Sequence, residues 1–137
     1  MRTIKFRGKD VETGKWVIGN LFQRLGHFAA IITPHPHEGK IRYFETAVEN
    51  STVGQYTGFR DARGKDIYEG DILVFAKDVC NDTLVIVWDN GAFVAEYTDR
   101  NVAGTRVRSN FFTANPKMFR VAGNIHDNPE LLKGDTK

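Results

Sequence analysis

Cysteine is almost absent: Cys80 stands alone among 137 residues. No intrachain disulfide can form, and nothing points to an oxidising compartment. Long apolar runs are missing too, since no stretch approaches the roughly 20 residues needed to cross a bilayer. Residues 1–23 carry Lys and Arg throughout and lack the apolar centre of a secretory signal. Nor is there a surplus of one charge. The 19 basic and 17 acidic residues leave a net +2, whereas a dedicated clamp on DNA shows a clear basic excess or stripe. Together these absences lead us to expect a soluble, cytoplasmic protein without membrane contact.

What is present is aromatic. Ten Phe, four Tyr and two Trp stand against two Met, and aromatic side chains suit the pleated surfaces of a β-rich interior. A hydrophobic share of 41% is enough for a packed core and too high for disorder. The length fits one domain, or a compact core with a small appended subdomain.

Period-two alternation starts early. Ile4 and Phe6 alternate with Lys5 and Arg7, a turn follows over Val11–Gly14, and Lys15–Phe22 returns as the second arm of a hairpin. Phe28–Thr33 reads as a strand buried on both faces and ended by Pro34 and Pro36, which lack a ladder N–H. Ile41–Val48 is an ambiguous further strand. Residues 51–66 read as a structured connector, with Val53, Tyr56 and Phe59 too apolar to float in water. Then come strands over Asp71–Ala76, Thr83–Trp88 and Ala92–Tyr97. The last two are joined through Asp89-Asn90-Gly91, a strong hairpin signal because a type I′ turn needs two positive φ values. Residues 99–117 are polar apart from Phe111 and Phe112 and read as an extended loop. Met118–Ala122 is a last strand, and Asn128-Pro129-Glu130 opens a helix of one or two turns.

Three segments form a recognisable pattern. They are Ile4-Lys5-Phe6-Arg7-Gly8-Lys9 with Gly14-Lys15-Trp16, then Val53–Asp61 with Gly64–Ile72, then Gly123–Leu132. In order and spacing the chain resembles the YopX family of phage and prophage proteins. Residues 24–50 and 77–117 lack the pattern. The resemblance implies a mainly β fold that includes a small SH3-like barrel, and it brings no catalytic residues with it. The organisation expected is therefore an N-terminal β-hairpin subdomain over 1–50, the connector over 51–66, and an SH3-like barrel with a short C-terminal helix over 67–137.

Candidate sites are few. Asp66, Glu69 and Asp71 could be a carboxylate cluster for acid/base work or a cation. A plain turn is favoured, in which Gly70 bends the chain and Asp71 accepts a backbone N–H. His35 and His37, beside Glu38 and with His27 upstream, have the side chains for zinc but lack further ligands at set spacing. Cys80 lies near Asp78 and Asp82, whose negative charge works against an activated thiol nucleophile. Gly54–Gly58 is not followed by the Lys and Ser/Thr of a phosphate loop. Neither a metal, a cofactor nor an enzymatic activity is indicated.

Basic residues interleaved with aromatics carry more weight. Lys5, Arg7 and Lys9 project from one face of the first strand, while Arg100, Arg106, Arg108, Lys117 and Arg120 border the loop holding Phe111 and Phe112. Such pairings can stack bases beside a cationic groove, although Lys also guards strand edges. Alternatively, Phe111 and Phe112 lie against a second copy of the chain. The expected function is a non-enzymatic phage accessory module that binds a macromolecular partner as a homo-oligomer in the bacterial host. Nucleic-acid binding through Lys5, Arg7, Lys9, Arg106, Arg108, Phe111 and Phe112 comes second, and an enzyme third.

Overall fold

Alternating side chains become paired strands throughout. The computed structural model describes residues 1–77, 80–98 and 104–136. Its contacts divide the chain into two units, Met1–Tyr56 and Thr57–Lys137. Asp78 and Arg100, named above, lie outside the described residues.

In the first unit, β1 (Phe6–Lys9) and β2 (Trp16–Phe22) form the expected antiparallel hairpin. At its turn the N–H of Gly14, at φ 71°, donates to the Asp10 carbonyl at 2.9 Å. β3 (Ala29–His37) pairs with β2, and β4 (Lys40–Val48) pairs with β3. A 3₁₀ turn at Asn50–Thr52 leads into β5 (Gly54–Arg60), whose first residues pair with β1. One face gathers Ala29, Ile31 and Val48 with Phe6, Val17, Leu21 and Val53 into a small core. Gly8 is obligatory here, since a Cβ would lie 2.8 Å from the Val48 side chain.

Pro34 and Pro36 do not end β3; both lie inside it, opposite Tyr43 and Ile41. The turn Glu38-Gly39 has φ values of 50° and 73° and closes on the pair His37–Lys40. A two-residue turn closes on a mutually hydrogen-bonded pair, and such pairs then alternate along an antiparallel ladder. Pro34 and Pro36 therefore occupy the intervening positions, with their nitrogens directed away from β4. On that side the pairing of β3 with β2 extends only from Ala30 to Ile32, so no ladder bond is lost.

In the second unit β6 (Asp66–Tyr68) lies beside the rest of β5. A five-stranded sheet follows, formed by β7 (Asp71–Phe75), β8 (Thr83–Asp89), β9 (Ala92–Thr98), β10 (Arg106–Ser109) and β11 (Phe119–Asn124), in the order β10-β9-β8-β7-β11. The Asn90-Gly91 turn forms as expected, with φ 53° and 83°. The core holds Ile67, Leu73, Leu84, Ile86, Ala95, Phe112 and Phe119, flanked by Phe59, Phe75, Phe93, Tyr97 and Val121.

A further expectation needs correction. Residues 99–117 are not one extended loop, because β10, the short helix α1 (Phe111–Ala114) and a 3₁₀ turn at Pro116–Met118 fall within it. The stretch expected to be a structured connector contains the strand β5. The fold is mainly β with antiparallel sheets, but no closed barrel is found among the described residues. β10 and β11 are the two edges of their sheet, with no pairing between them among the described residues. β10 spans four residues, and the chain then turns into α1, which inserts Phe112 into the core. The C-terminal helix is present as a 3₁₀ helix over Pro129–Thr136.

Candidate functional site

The registers of the first unit define one outward face. Arg7 stands opposite Ile18 and Lys9 opposite Trp16. The same parity runs through Asn20–Ile32–Glu45 and Phe22–Ala30–Ala47 to Pro34–Tyr43 and Pro36–Ile41. Lys5, Arg7 and Lys9 are thus brought together, as the alternation predicted. They are covered by aromatic rings: Lys5 Nζ is 4.8 Å from the Tyr56 ring centre, and the Arg7 guanidinium and Lys9 Nζ are 4.6 and 5.5 Å from that of Trp16. These are cation–π distances. Arg7 is 8% exposed.

Further along this face Ile18, Phe22, Ile41 and Tyr43 are 49, 50, 59 and 66% exposed. Those four residues were missed from sequence. Their alternation was readable, but it marks two faces without saying which one is covered. Arg24 closes part of the surface, 6.0 Å from the Phe22 ring and 3.0 Å from Glu45.

Arg106 and Arg108 also come together, on β10, but against carboxylates. Arg106 Nη1 donates to Glu96 Oε1 at 2.9 Å and Arg108 Nε to Glu96 Oε2 at 2.7 Å, while Asp89 lies 3.3 Å from Arg108. Its hydrogen bond to Glu96, then that to Asp89, raises the Arg108 pKa above its usual value. Two cations facing two anions leave this patch near neutral. Phe112 is 0% exposed and packs edge-on against Phe59 with ring centres 5.9 Å apart, so it offers no face to a base or a partner. Phe111 is 37% exposed and rests on Tyr97 and Phe119 at 5.8 and 5.6 Å. Lys117 Nζ donates to the Asp61 carbonyl at 3.0 Å, and Arg120 pairs with Val74 across the ladder.

His27, His35 and His37 lie on or near the β3–β4 hairpin. His35 packs edge-on against Phe44 at 4.6 Å, and His37 is 3.7 Å from Glu38. No group of three His, Cys, Asp or Glu residues is placed to hold a metal among the described residues. An open depression of about 540 Å³ is lined by Arg24, Leu25, Gly26, His27, Phe28 and Asn50. Asp61 and Arg108, whose pKa values are displaced, do not line it. Cys80 Sγ lies 3.4 Å from the Asp82 backbone nitrogen. No helix among the described residues is long and apolar enough to cross a membrane.

The residues that carry the sequence pattern build turns. Asp61 is 1% exposed; its carboxylate accepts the N–H groups of Arg63, Lys65 and Val121 at 2.9, 2.9 and 2.8 Å. Burial pushes its pKa up, but the donors from Val121, Lys65 and Arg63 outweigh that and hold it below the usual value. Asp71 accepts the Tyr68 N–H at 2.7 Å around Gly70, the turn expected above. Asp66 pairs with Arg60 at 3.1 Å, away from any convergent carboxylate site. Asn124 Oδ1 accepts from His126 and Asp127 at 3.0 and 2.9 Å. Asn128 Oδ1 accepts the Asn124 N–H at 3.2 Å and sits where a Cβ on Gly123 would collide with it.

Residues 5–133 match the family model described as YopX protein. The crystal structure of protein EF1440 from Enterococcus faecalis is similar in fold, with a TM-score of 0.59 and 23% identity, covering 96% of this chain and 99% of that one. No curated protein matches. The family match extends over nearly the whole chain, and the turn-building residues lie within it: this protein belongs to the YopX family.

Proposed function

We propose that the chain is a non-enzymatic phage or prophage accessory module that acts as a homo-oligomer and binds a macromolecular partner in the cytoplasm of its bacterial host. One observation carries the proposal: Ile18, Phe22, Ile41 and Tyr43 share one sheet face and are each about half exposed or more. Apolar side chains grouped in this way mark interfaces more often than free surface. The partner-binding surface is therefore assigned to this face rather than to Phe111 and Phe112. The turn-building work of Asp61, Asp71, Asn124 and Asn128 supports a scaffold rather than a catalyst. The strand order, with β11 returning beside β7 after a helical turn, supports an SH3-like bend in the five-stranded sheet. Sedimentation velocity tests assembly: a mass that is a multiple of the chain's is expected at micromolar concentration. A monomer there overturns the proposal.

A second reading, nucleic-acid binding, is favoured by the grouping of Lys5, Arg7 and Lys9 with Trp16 and Tyr56. Rings beside cations are the elements of a single-strand platform. It predicts salt-dependent retention on single-stranded DNA that Lys5→Glu with Lys9→Glu abolishes. Arg106→Glu with Arg108→Glu has a smaller effect, because Glu96 and Asp89 already offset those charges. No retention at low salt removes this reading.

A further inference from the structure

The edge of the first sheet is formed by β4, and most of its length is exposed. The alternation fixed by the pair His37–Lys40 decides where its backbone groups point. Lys40, Arg42, Phe44 and Thr46 direct theirs at β3. Ile41, Tyr43, Glu45 and Ala47 direct theirs outward. One outward group is already engaged, since the Ala47 carbonyl accepts the Val11 N–H at 3.1 Å. This bond independently supports the assignment and closes the edge at its C-terminal end. No partner is found among the described residues for the outward backbone groups of Ile41, Tyr43 and Glu45.

Three consecutive outward positions are symmetric about the middle one. Resting on the assembly reading above, we propose that β4 pairs antiparallel with β4 of a second copy, with Tyr43 on the two-fold axis. A two-fold axis perpendicular to the sheet keeps each face on its own side, so each residue meets one of the same parity. Centring on Tyr43 sets Ile41 against Glu45 of the second copy and uses the three open positions on each strand. It also sets Arg42 against Phe44 of the second copy, twice over, which is a cation–π pairing. Neighbouring registers are worse. Centring on Arg42 or on Glu45 opposes like charges directly, which is destabilising. Centring on Phe44 requires the Ala47 carbonyl that Val11 already holds. The sheet thus continues from one copy into the next, and its exposed faces, with Ile18, Phe22, Ile41 and Tyr43, become a shared surface.

Tyr43→Pro tests the pairing in the intact chain. The substitution removes an outward N–H and leaves the bonds to β3 intact, and Pro34 already occupies the position opposite. Sedimentation velocity is expected to show a dimer for the parent chain and a monomer for Tyr43→Pro, with unchanged far-ultraviolet circular dichroism. Should that variant misfold, Tyr43→Cys in a Cys80→Ser background gives an independent readout. Across the axis the two Cα atoms lie about 5.5 Å apart, within disulfide range, so mild oxidation is expected to link the copies covalently. Ile41→Cys in the same background places its pair roughly 13 Å apart along the ladder and is expected not to cross-link. If the parent chain is monomeric, the assembly reading and this interface both fall. If the parent and Tyr43→Pro assemble equally, or the two cysteine variants cross-link alike, only the β4 interface falls.

Discussion

Asp61 ties the turn between β5 and β6 to β11 with three backbone N–H groups on one carboxylate. In Asp61→Asn one of those donors must face an amide NH₂ instead of an oxygen. Leaving a buried donor unmet costs about 1–3 kcal/mol, and chemical denaturation should show a loss of that size. The pH dependence has a definite sign. Because the folded-state pKa lies below the ordinary value of 3.8, the carboxylate stabilises the fold above that value, and this stability is lost as pH falls through the lower folded-state pKa. The parent chain should therefore lose stability in that acidic window more steeply than Asp61→Asn, as measured by unfolding midpoints across pH. Phe111 and Phe112 make a second comparison. Phe112→Ala empties a fully buried position and should cost about 3–5 kcal/mol. Phe111→Ala, at a half-covered ring, should cost clearly less in the same measurement. Sequence could not separate the two, because adjacent apolar residues in a polar stretch look alike until a single helical turn directs one of them inward.

At the scale of elements, how well a turn could be read from the sequence depended on its residues. Asn90-Gly91 was readable because both residues readily take positive φ. Glu38-Gly39 makes the same kind of turn, but Glu at φ 50° is an unusual occupant, and Pro34 and Pro36 concealed the strand before it. Proline breaks a ladder only where its missing N–H was needed, and that depends on pairing parity, which alternation alone does not reveal. β10 was hidden for a related reason: Arg106 and Arg108 look like loop residues until Glu96 across the ladder neutralises them. The hairpins β1–β2 and β8–β9 and the family pattern were readable, because alternation and turn chemistry agreed there. The Glu38 strain yields a prediction. Glu38→Asn supplies the residue this turn prefers, and relieving a left-handed position should stabilise the chain by up to about 1 kcal/mol. A rise in thermal midpoint of a few degrees would register it.

Across the whole molecule, each unit buries its own apolar cluster, one around Ile31 and Val48 and the other around Leu84, Ile86 and Phe112. The sheet face bearing Ile18, Phe22, Ile41 and Tyr43 belongs to neither cluster. This distribution separates what holds the fold from what is available for recognition, and substitution can test the separation. Leu84→Ala removes a side chain with almost no exposed surface and should cost about 2–5 kcal/mol. Against a total stability of roughly 5–15 kcal/mol, that is a large fraction. Ile18→Ser with Phe22→Ser removes more apolar volume from positions that water already reaches. Surface changes of this kind usually stay within about 0.5 kcal/mol each, so the unfolding midpoint should barely move. Binding of an apolar fluorescent dye to the native protein should fall at the same time, as should retention on a hydrophobic matrix. A large loss of stability in the double serine variant would mean that this face is buried in the native protein and holds the fold rather than serving recognition.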